Sequence, residues 1–293
     1  MRAKNTYLNM GCETNMALEL MYITNSPAVA LIAEKNGVDR IWIDLETLGK
    51  EERQKNMNSV KSHHTVQDVE VISNILTKSE CMVRINPWNE NSIDEIEKVI
   101  AAGADRIMLP MWRTAEEADM FLKAVNRRIK TTLLLETKEA AACLDNVLCL
   151  PLIDEIHIGL NDLHLSLGLT FMFELLTNGM VERLCIKMKN AGIKYGFGGV
   201  ARIGEGMLPA EKVIMEHYRL GSTRAILSRS FCNTEEITDI DEIEKMFSQN
   251  VKILREYEKT MPSKTPSEFM DNQSEVVAAV TKIVEKIKER KNA

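Results

Sequence analysis

Acidic side chains recur where short apolar runs end. Asp44 and Glu46 close RIWIDLE (40–46), Glu136 closes TTLLLE (131–136), and Asn161 and Asp162 follow EIHIGL (155–160), while Arg84 stands in CMVRIN (81–86). Two carboxylates such as Glu136 and Asp162, brought to one place with other positions left to water and substrate, suit a hard divalent ion. Mg2+ comes first, with Mn2+ or Co2+ as alternatives. A guanidinium beside such a cation would stabilise a developing oxyanion. Taken singly, each acid has a plainer reading: Asp162, just before LHLSLG, as a helix N-cap, and Glu136 as the partner of a lysine.

Other residues offer chemistry at lower specificity. His63 and His64 precede Thr65, the expected N-cap of a helix, and either supply an imidazole or form a solvated loop pair. His164 is expected to point toward solvent, and His157, in mid-strand, to be a core histidine. Lys138, beside Glu136, is the candidate for a Schiff base instead of a metal. The glycine-rich GFGGVARIGEG (196–206) contains Gly199 and Arg202. Its backbone either approaches an anionic ligand closely or merely turns tightly. Arg229 reads as a salt-bridge partner or a ligand for a distal acidic group. Trp88 and Trp112 stand where they could wall a pocket or an interface.

This chemistry needs strands that end together, and the apolar pattern supplies them. Strand-like runs over 19–25, 40–46, 81–86, 106–111, 131–136, 155–160, 195–201 and 223–228 alternate with amphipathic stretches at 26–37, 65–76, 92–103, 114–126, 138–148, onward to about 192, 209–221 and 239–259. Runs with little polar alternation are strands buried on both faces, as in a parallel sheet covered by helices. Eight such units, with no GxGxxG after the first strand and no GxxxxGK[ST], predict an α/β fold of the (β/α)8 TIM barrel type. Active sites of such barrels lie at the C-terminal strand ends, where all the acids above fall. The barrel is expected over 1–260 and a C-terminal helical extension over 261–293. Residues 261–273 interrupt the pattern before an amphipathic helix at 274–291, whose Val276, Val277, Val280, Ile283, Val284 and Ile287 stripe packs on its own barrel or on a neighbouring subunit.

Composition narrows the partners. The 293 residues suit one barrel, and a formal charge of −6 gives no basic footprint for nucleic acid. No apolar run is long enough to span a bilayer, the N-terminus lacks a leader-like apolar core, and six scattered cysteines read as reduced core residues; a cytoplasmic chain is expected.

The segments LLLETKEAAACLDNV and IDEIHIGLNDLHLSLG, with GVDRIWIDLE and MVRINPWNE…AAGADRIMLPMWRTAEEA in order before them, resemble the HpcH/HpaI aldolase and citrate lyase β-subunit superfamily over roughly residues 19–232. The resemblance implies metal ligation by Glu136 and Asp162, binding of a 2-oxo group by Arg84, and capture of its carboxylate by backbone amides around Gly159, Asn161 and Asp162. It further implies a carbon–carbon lyase acting on a small 2-oxo acid such as pyruvate or oxaloacetate, and a homo-oligomer, trimer or hexamer. The chain departs from the aldolase pattern at Thr47, which stands where that branch has a histidine after the acid matching Glu46. A threonine cannot serve as general base near neutral pH. The connection before the fifth strand is also shorter than in the aldolases. A citrate-lyase-like acyl-CoA lyase and a non-catalytic metabolite-binding barrel are therefore the alternatives.

Overall fold

The computed structural model describes residues 17–49, 64–229, 231–234 and 236–292. His63 and Cys12 lie outside the described residues. The strands are β1 (Glu19–Ile23), β2 (Arg40–Asp44), β3 (Glu80–Arg84), β4 (Arg106–Leu109), β5 (Lys130–Leu135), β6 (Glu155–Ile158), β7 (Lys194–Phe197), β8 (Gly199–Val200) and β9 (Arg224–Leu227). Between and after them run α1 (Pro27–Lys35), α2 (Val66–Ile75), α3 (Ser92–Ala101), α4 (Ala115–Val125), α5 (Lys138–Val147), α6 (Leu160–Ser166), α7 (Glu174–Thr177), α8 (Met180–Asn190), α9 (Ala210–Leu220), α10 (Ile240–Glu258) and α11 (Pro266–Asn292). Every described pairing is parallel, in the order β7-β6-β5-β4-β3-β2-β1-β9-β8.

The expected seventh strand is two short ones, broken at Gly198 with φ +51°. Gly198 donates its N–H to Ile158 O at 2.9 Å and accepts from Ile226 N at 3.4 Å, so it links β6 to β9 and brings the sheet round to closure. A Cβ there would lie 2.6 Å from Leu160 Cδ1, and one at Gly196 would lie 2.5 Å from Arg224 O. Glycine is demanded at 196 and 198 by the closing barrel. Gly199, the residue singled out from sequence, has only ordinary neighbours, 3.6 Å and beyond.

Side chains two apart along each strand share a face. Arg40, Trp42 and Asp44 point inward on β2, and Glu80, Met82 and Arg84 on β3; Thr132 and Leu134 on β5 lead to Glu136 just beyond it. The interior is therefore layered. An ion-paired layer of Glu19, Arg40, Glu80, Arg106, Glu155 and Arg224 fills the N-terminal mouth. A sulfur-rich layer of Met21, Trp42, Met82, Met108 and Leu134 follows. The acids and Arg84 form the layer at the C-terminal mouth. Outward faces such as Ile41, Val83, Leu133 and Ile156 pack beneath the helices in the main core.

The C-terminal region differs from expectation. The helix begins at Pro266, not near 274, after a single 3-10 turn at Met261–Ser263. Thr265 and Glu268 cap each other: Thr265 N donates to Glu268 Oε2 at 2.8 Å and Glu268 N to Thr265 Oγ1 at 3.3 Å. Proline is tolerated in a first helical turn because its missing N–H would have no partner there. Val276 and Val280 are buried against this chain's own core, with Asn272 donating to Lys212 O and Glu216 Oε1 of α9. The helical segment after β6 is divided into α6, α7 and α8. Among the described residues no helix is long and apolar enough to cross a membrane, and the five described cysteines are free.

Candidate active site

The strand ends bring Asp44, Glu46, Arg84 and Glu136 together. Asp44 and Arg84 are register partners on β2 and β3. Arg84 Nε donates to Asp44 Oδ1 at 2.9 Å and Nη2 to Asp44 Oδ2 at 2.8 Å, a bidentate pair, while Nη1 lies 3.3 Å from Glu46 Oε2. The guanidinium rests over the Trp42 ring, 5.1 Å from its centroid. Burial works against its charge, but Asp44 and Glu46 outweigh that and hold its pKa above the ordinary arginine value.

Glu136 is buried just past β5 and accepts the N–H of Met111 at 3.0 Å. Met111 has φ +53°, a left-handed conformation unusual for a side chain of its size, which turns its amide onto the carboxylate. Gly159 makes room for the same group, since a Cβ there would lie 2.8 Å from Glu136 Oε2. Burial first, then the charges of Asp162 and Glu46, push the Glu136 carboxyl well above the usual range; Arg84 and the Met111 amide offset this only in part.

Asp162 is the third residue of α6, whose N-cap is Gly159. It is therefore a first-turn acid and not the cap, while Thr137, whose hydroxyl accepts from Ala140 N, caps α5. The first i to i−4 bond of α6 is Leu163 N to Gly159 O, so the amides of Leu160, Asn161 and Asp162 precede it. The Asn161 side chain is exposed.

His64 is brought to the same rim. Its Nδ1 accepts the backbone N–H of Asp44 at 2.9 Å, which leaves Nε2 as the protonated nitrogen of the neutral ring. His164 is buried, its Nδ1 3.2 Å from Leu160 O, and does not face solvent as expected. His157 is buried with Nε2 3.3 Å from Gly198 O. Trp112 is buried in the main core, its carbonyl accepting from the Thr137 hydroxyl at 2.8 Å, and Trp88 is half-buried against that core. Arg202 is paired with Glu205, three residues on, and the Gly204 amide donates to Glu211 Oε1 of α9 at 2.9 Å. Lys138 is exposed, 4.0 Å from Glu139.

Thr47 is exposed, and its backbone N–H and hydroxyl both go to Asn86 Oδ1, at 2.9 and 3.2 Å. A cleft of about 490 Å3 opens beside this loop, with Leu48, Asn91 and Lys98 in its wall. Sequence reasoning missed Trp42, Met111 and Asn86. Trp42 was open to discovery through its two-residue spacing from Asp44; Met111 and Asn86 act through contacts between strands that carry no local signal.

Asp44, Glu46 and Glu136 thus act on one guanidinium, and Asp162 adds its charge beside Glu136, an excess of negative charge that a divalent cation would balance. Among the described residues no three His, Cys, Asp or Glu side chains converge on one point. Two carboxylates with the remaining positions left to oxygen ligands from outside the chain fit the habits of Mg2+, which dehydrates reluctantly.

Comparisons with known proteins bear on the fold and the family. No curated protein matches the sequence. The HpcH/HpaI aldolase from Desulfitobacterium hafniense DCB-2 is similar in structure with TM-score 0.58 at 14% identity, over 78% of this chain and 93% of that one. An HpcH/HpaI aldolase/citrate lyase family protein from Burkholderia cenocepacia J2315 gives 0.57 at 15% identity, over 78% and 95%. The citrate synthase SbnG gives 0.57 at 15%, over 79% and 94%. At such identities these likenesses establish the barrel alone, as does that to tryptophan synthase from M. tuberculosis, with TM-score 0.54. The family model for HpcH/HpaI aldolase/citrate lyase, however, matches residues 19–195, more than half of the sequence, and the chain belongs to that family of lyases.

Proposed function

We propose that this chain is a divalent-metal-dependent carbon–carbon lyase that makes or cleaves a small 2-oxo acid, such as pyruvate or oxaloacetate, through an enolate. The observation that carries the reading is Glu136: buried, beside Asp162 and Glu46, and next to a guanidinium already engaged by two other acids. Glu136 and Asp162 would hold the cation, which when bound supplies Lewis-acid polarisation of the oxo group.

The protein's own groups do the rest. Arg84 stays protonated at any working pH and would face the C2 oxygen as negative charge builds there. Asp44 and Glu46 fix the orientation of that guanidinium, so it needs no rearrangement when charge develops. The early amides of α6 would receive the substrate carboxylate. His64, with its proton on Nε2, would offer a hydrogen-bond donor to substrate oxygen at the rim while Nδ1 accepts from Asp44 N. Thr47 takes no proton, its hydroxyl being engaged with Asn86.

The test is exchange of pyruvate methyl protons for deuterium. The reading expects Mg2+-dependent exchange that is lost in Arg84→Ala and in Glu136→Gln. Thr47, exposed and lacking basicity, favours a second reading: a barrel that binds a 2-oxo acid without turning it over. Metal-dependent binding of pyruvate or oxalate with no exchange would establish that second reading. Cleavage of an acyl-CoA thioester without pyruvate exchange would instead move the chain to the citrate-lyase branch.

A further inference from the structure

The loop that carries Glu46 is fastened by a side chain to which the proposed chemistry gives no part. Asn86 follows β3, and its Oδ1 accepts three hydrogen bonds: from Thr47 N at 2.9 Å, from Leu48 N at 2.9 Å and from the Thr47 hydroxyl at 3.2 Å. Its Nδ2 donates to Glu95 Oε1 on α3 at 2.9 Å, and its backbone N–H is 3.2 and 3.3 Å from the two oxygens of the same carboxylate. The amide orientation is dictated by its partners. Backbone N–H groups can only donate, so the oxygen must face the loop and the NH2 must face Glu95. Burial raises the Glu95 pKa, and the bonds from Asn86 oppose that.

Glu46 is thereby clamped from both sides along the chain. Its own N–H donates to Asp44 Oδ1 at 3.2 Å, and the next two amides are held by Asn86. Its carboxylate can meet Arg84 Nη1 only while that backbone stays in place. We propose that Asn86, anchored by Glu95, is a positioning residue that holds the Glu46 carboxylate against Arg84 and so sets the direction of the guanidinium toward the reacting oxygen. The proposal rests on the lyase reading for its catalytic part; the clamping itself does not.

Asn86→Ala removes all three acceptor bonds from the loop. Hydrogen exchange at the Thr47 and Leu48 amides should then accelerate by about tenfold or more, because their protection comes from that one oxygen. In the pyruvate exchange assay kcat should fall about 10- to 100-fold, the usual effect of misplacing a catalytic group by about an ångström. KM for pyruvate should stay within about twofold, since the substrate carboxylate is held elsewhere. Asn86→Asp keeps the acceptor but sets two carboxylates together, and should be impaired. Adding Glu95→Gln to Asn86→Asp restores a donor–acceptor pair with its polarity reversed, and should recover kcat to within about threefold of wild type, a rescue that general loosening of the loop would not show.

Unchanged protection at Thr47 and Leu48 in Asn86→Ala overturns the proposal. So does faster amide exchange with an unaltered kcat, a rise in KM alone, or failure of the double variant to recover. A wild-type chain that exchanges no pyruvate protons overturns the lyase reading instead, and the amide protections then decide the clamping role by themselves.

Discussion

Replacing Glu155 with glutamine should cost more stability than any single change at the protein surface, and the structure says how much. Glu155 sits in the N-terminal mouth, with Arg40 Nη1 at 2.6 Å and Nη2 at 3.0 Å, Arg224 Nε at 2.7 Å, Arg106 Nη1 at 3.4 Å and the Thr132 hydroxyl at 2.7 Å. The Arg224 contact is an ion pair whose N–H is poorly aligned for a hydrogen bond. Burial by itself would raise the pKa of this carboxyl, yet the three guanidiniums hold it at about 2 against an ordinary 4.5. That depression corresponds to about 3 kcal/mol in favour of the ionised, folded form. Removing the charge also takes from three buried arginines their one fully buried acid, leaving them the partly exposed Glu19 and Glu80, and breaking a buried pair from one side typically costs about 3 to 5 kcal/mol. Both routes agree on a loss of about 3 to 5 kcal/mol, or roughly 10 °C in Tm for a chain of this size. Because the folded pKa is depressed, the contribution is complete above pH 4.5 and is lost as pH falls toward 2. The gap between wild type and Glu155→Gln should therefore be constant from pH 7 to about 5 and narrow below 4.5. Chemical denaturation followed by circular dichroism measures it. A loss of under about 1 kcal/mol at neutral pH would refute the reasoning, since surface pairs reach that much.

Three further outcomes follow from other parts of the barrel. Glu97→Ala, which breaks a fully exposed bidentate pair with Arg128 at 2.7 Å, should leave Tm unchanged within error; a clear drop would show that solvent screening has been overrated. His157 and His217 are held neutral by burial, at about 4 and about 3, so the unfolded chain takes up protons first as pH falls below 6.5. Each should remove roughly 2 kcal/mol by pH 5, and a flat Tm between pH 7 and 5 would contradict this. Gly159→Ala should push the Glu136 carboxylate aside, cost about 1 to 3 kcal/mol, and weaken Mg2+ binding by titration calorimetry; unchanged affinity would count against the packing argument.

The strand ends were legible in the sequence because a parallel barrel brings every one of them to the same rim. Once the apolar runs were counted, Asp44, Glu46, Arg84 and Glu136 needed no further information to meet. The ion-paired layer below was not legible. Glu19, Arg40, Glu80, Arg106, Glu155 and Arg224 each open a strand and read locally as polar flanks; only closure of the barrel turns six edges into one interior. The helix start at Pro266 carries a local signal that the proline obscures. Proline and a polar stretch suggested interruption, whereas Thr265 and Glu268 already spelled a capping box. Asn86 belongs to a third class. Its bonds depend on the β2–β3 register and on where α3 begins, and neither is set by the residues around it.

Glu136 makes the strongest case that function, and not stability, shaped the upper mouth. Its ionised form is opposed by burial and by the charges of Asp162 and Glu46, so in the absence of a cation it works against folding. Because its folded pKa is raised, the penalty grows as pH climbs above the ordinary value of 4.5, with the unfolded chain ionising first. Glu136→Gln keeps the shape, still accepts from Met111 N, and removes that penalty. The metal-free variant should therefore be more stable than the metal-free wild type at pH 8, with the gap closing toward pH 5. Saturating Mg2+ should reverse the order, raising Tm of the wild type and leaving the variant where it was, because only a chain that binds the ion gains from it. Thermal scans with and without Mg2+ at the two pH values give four numbers. If the variant is the less stable of the two without metal, or if Mg2+ shifts both equally, Glu136 is an ordinary buried acid and the cation belongs elsewhere.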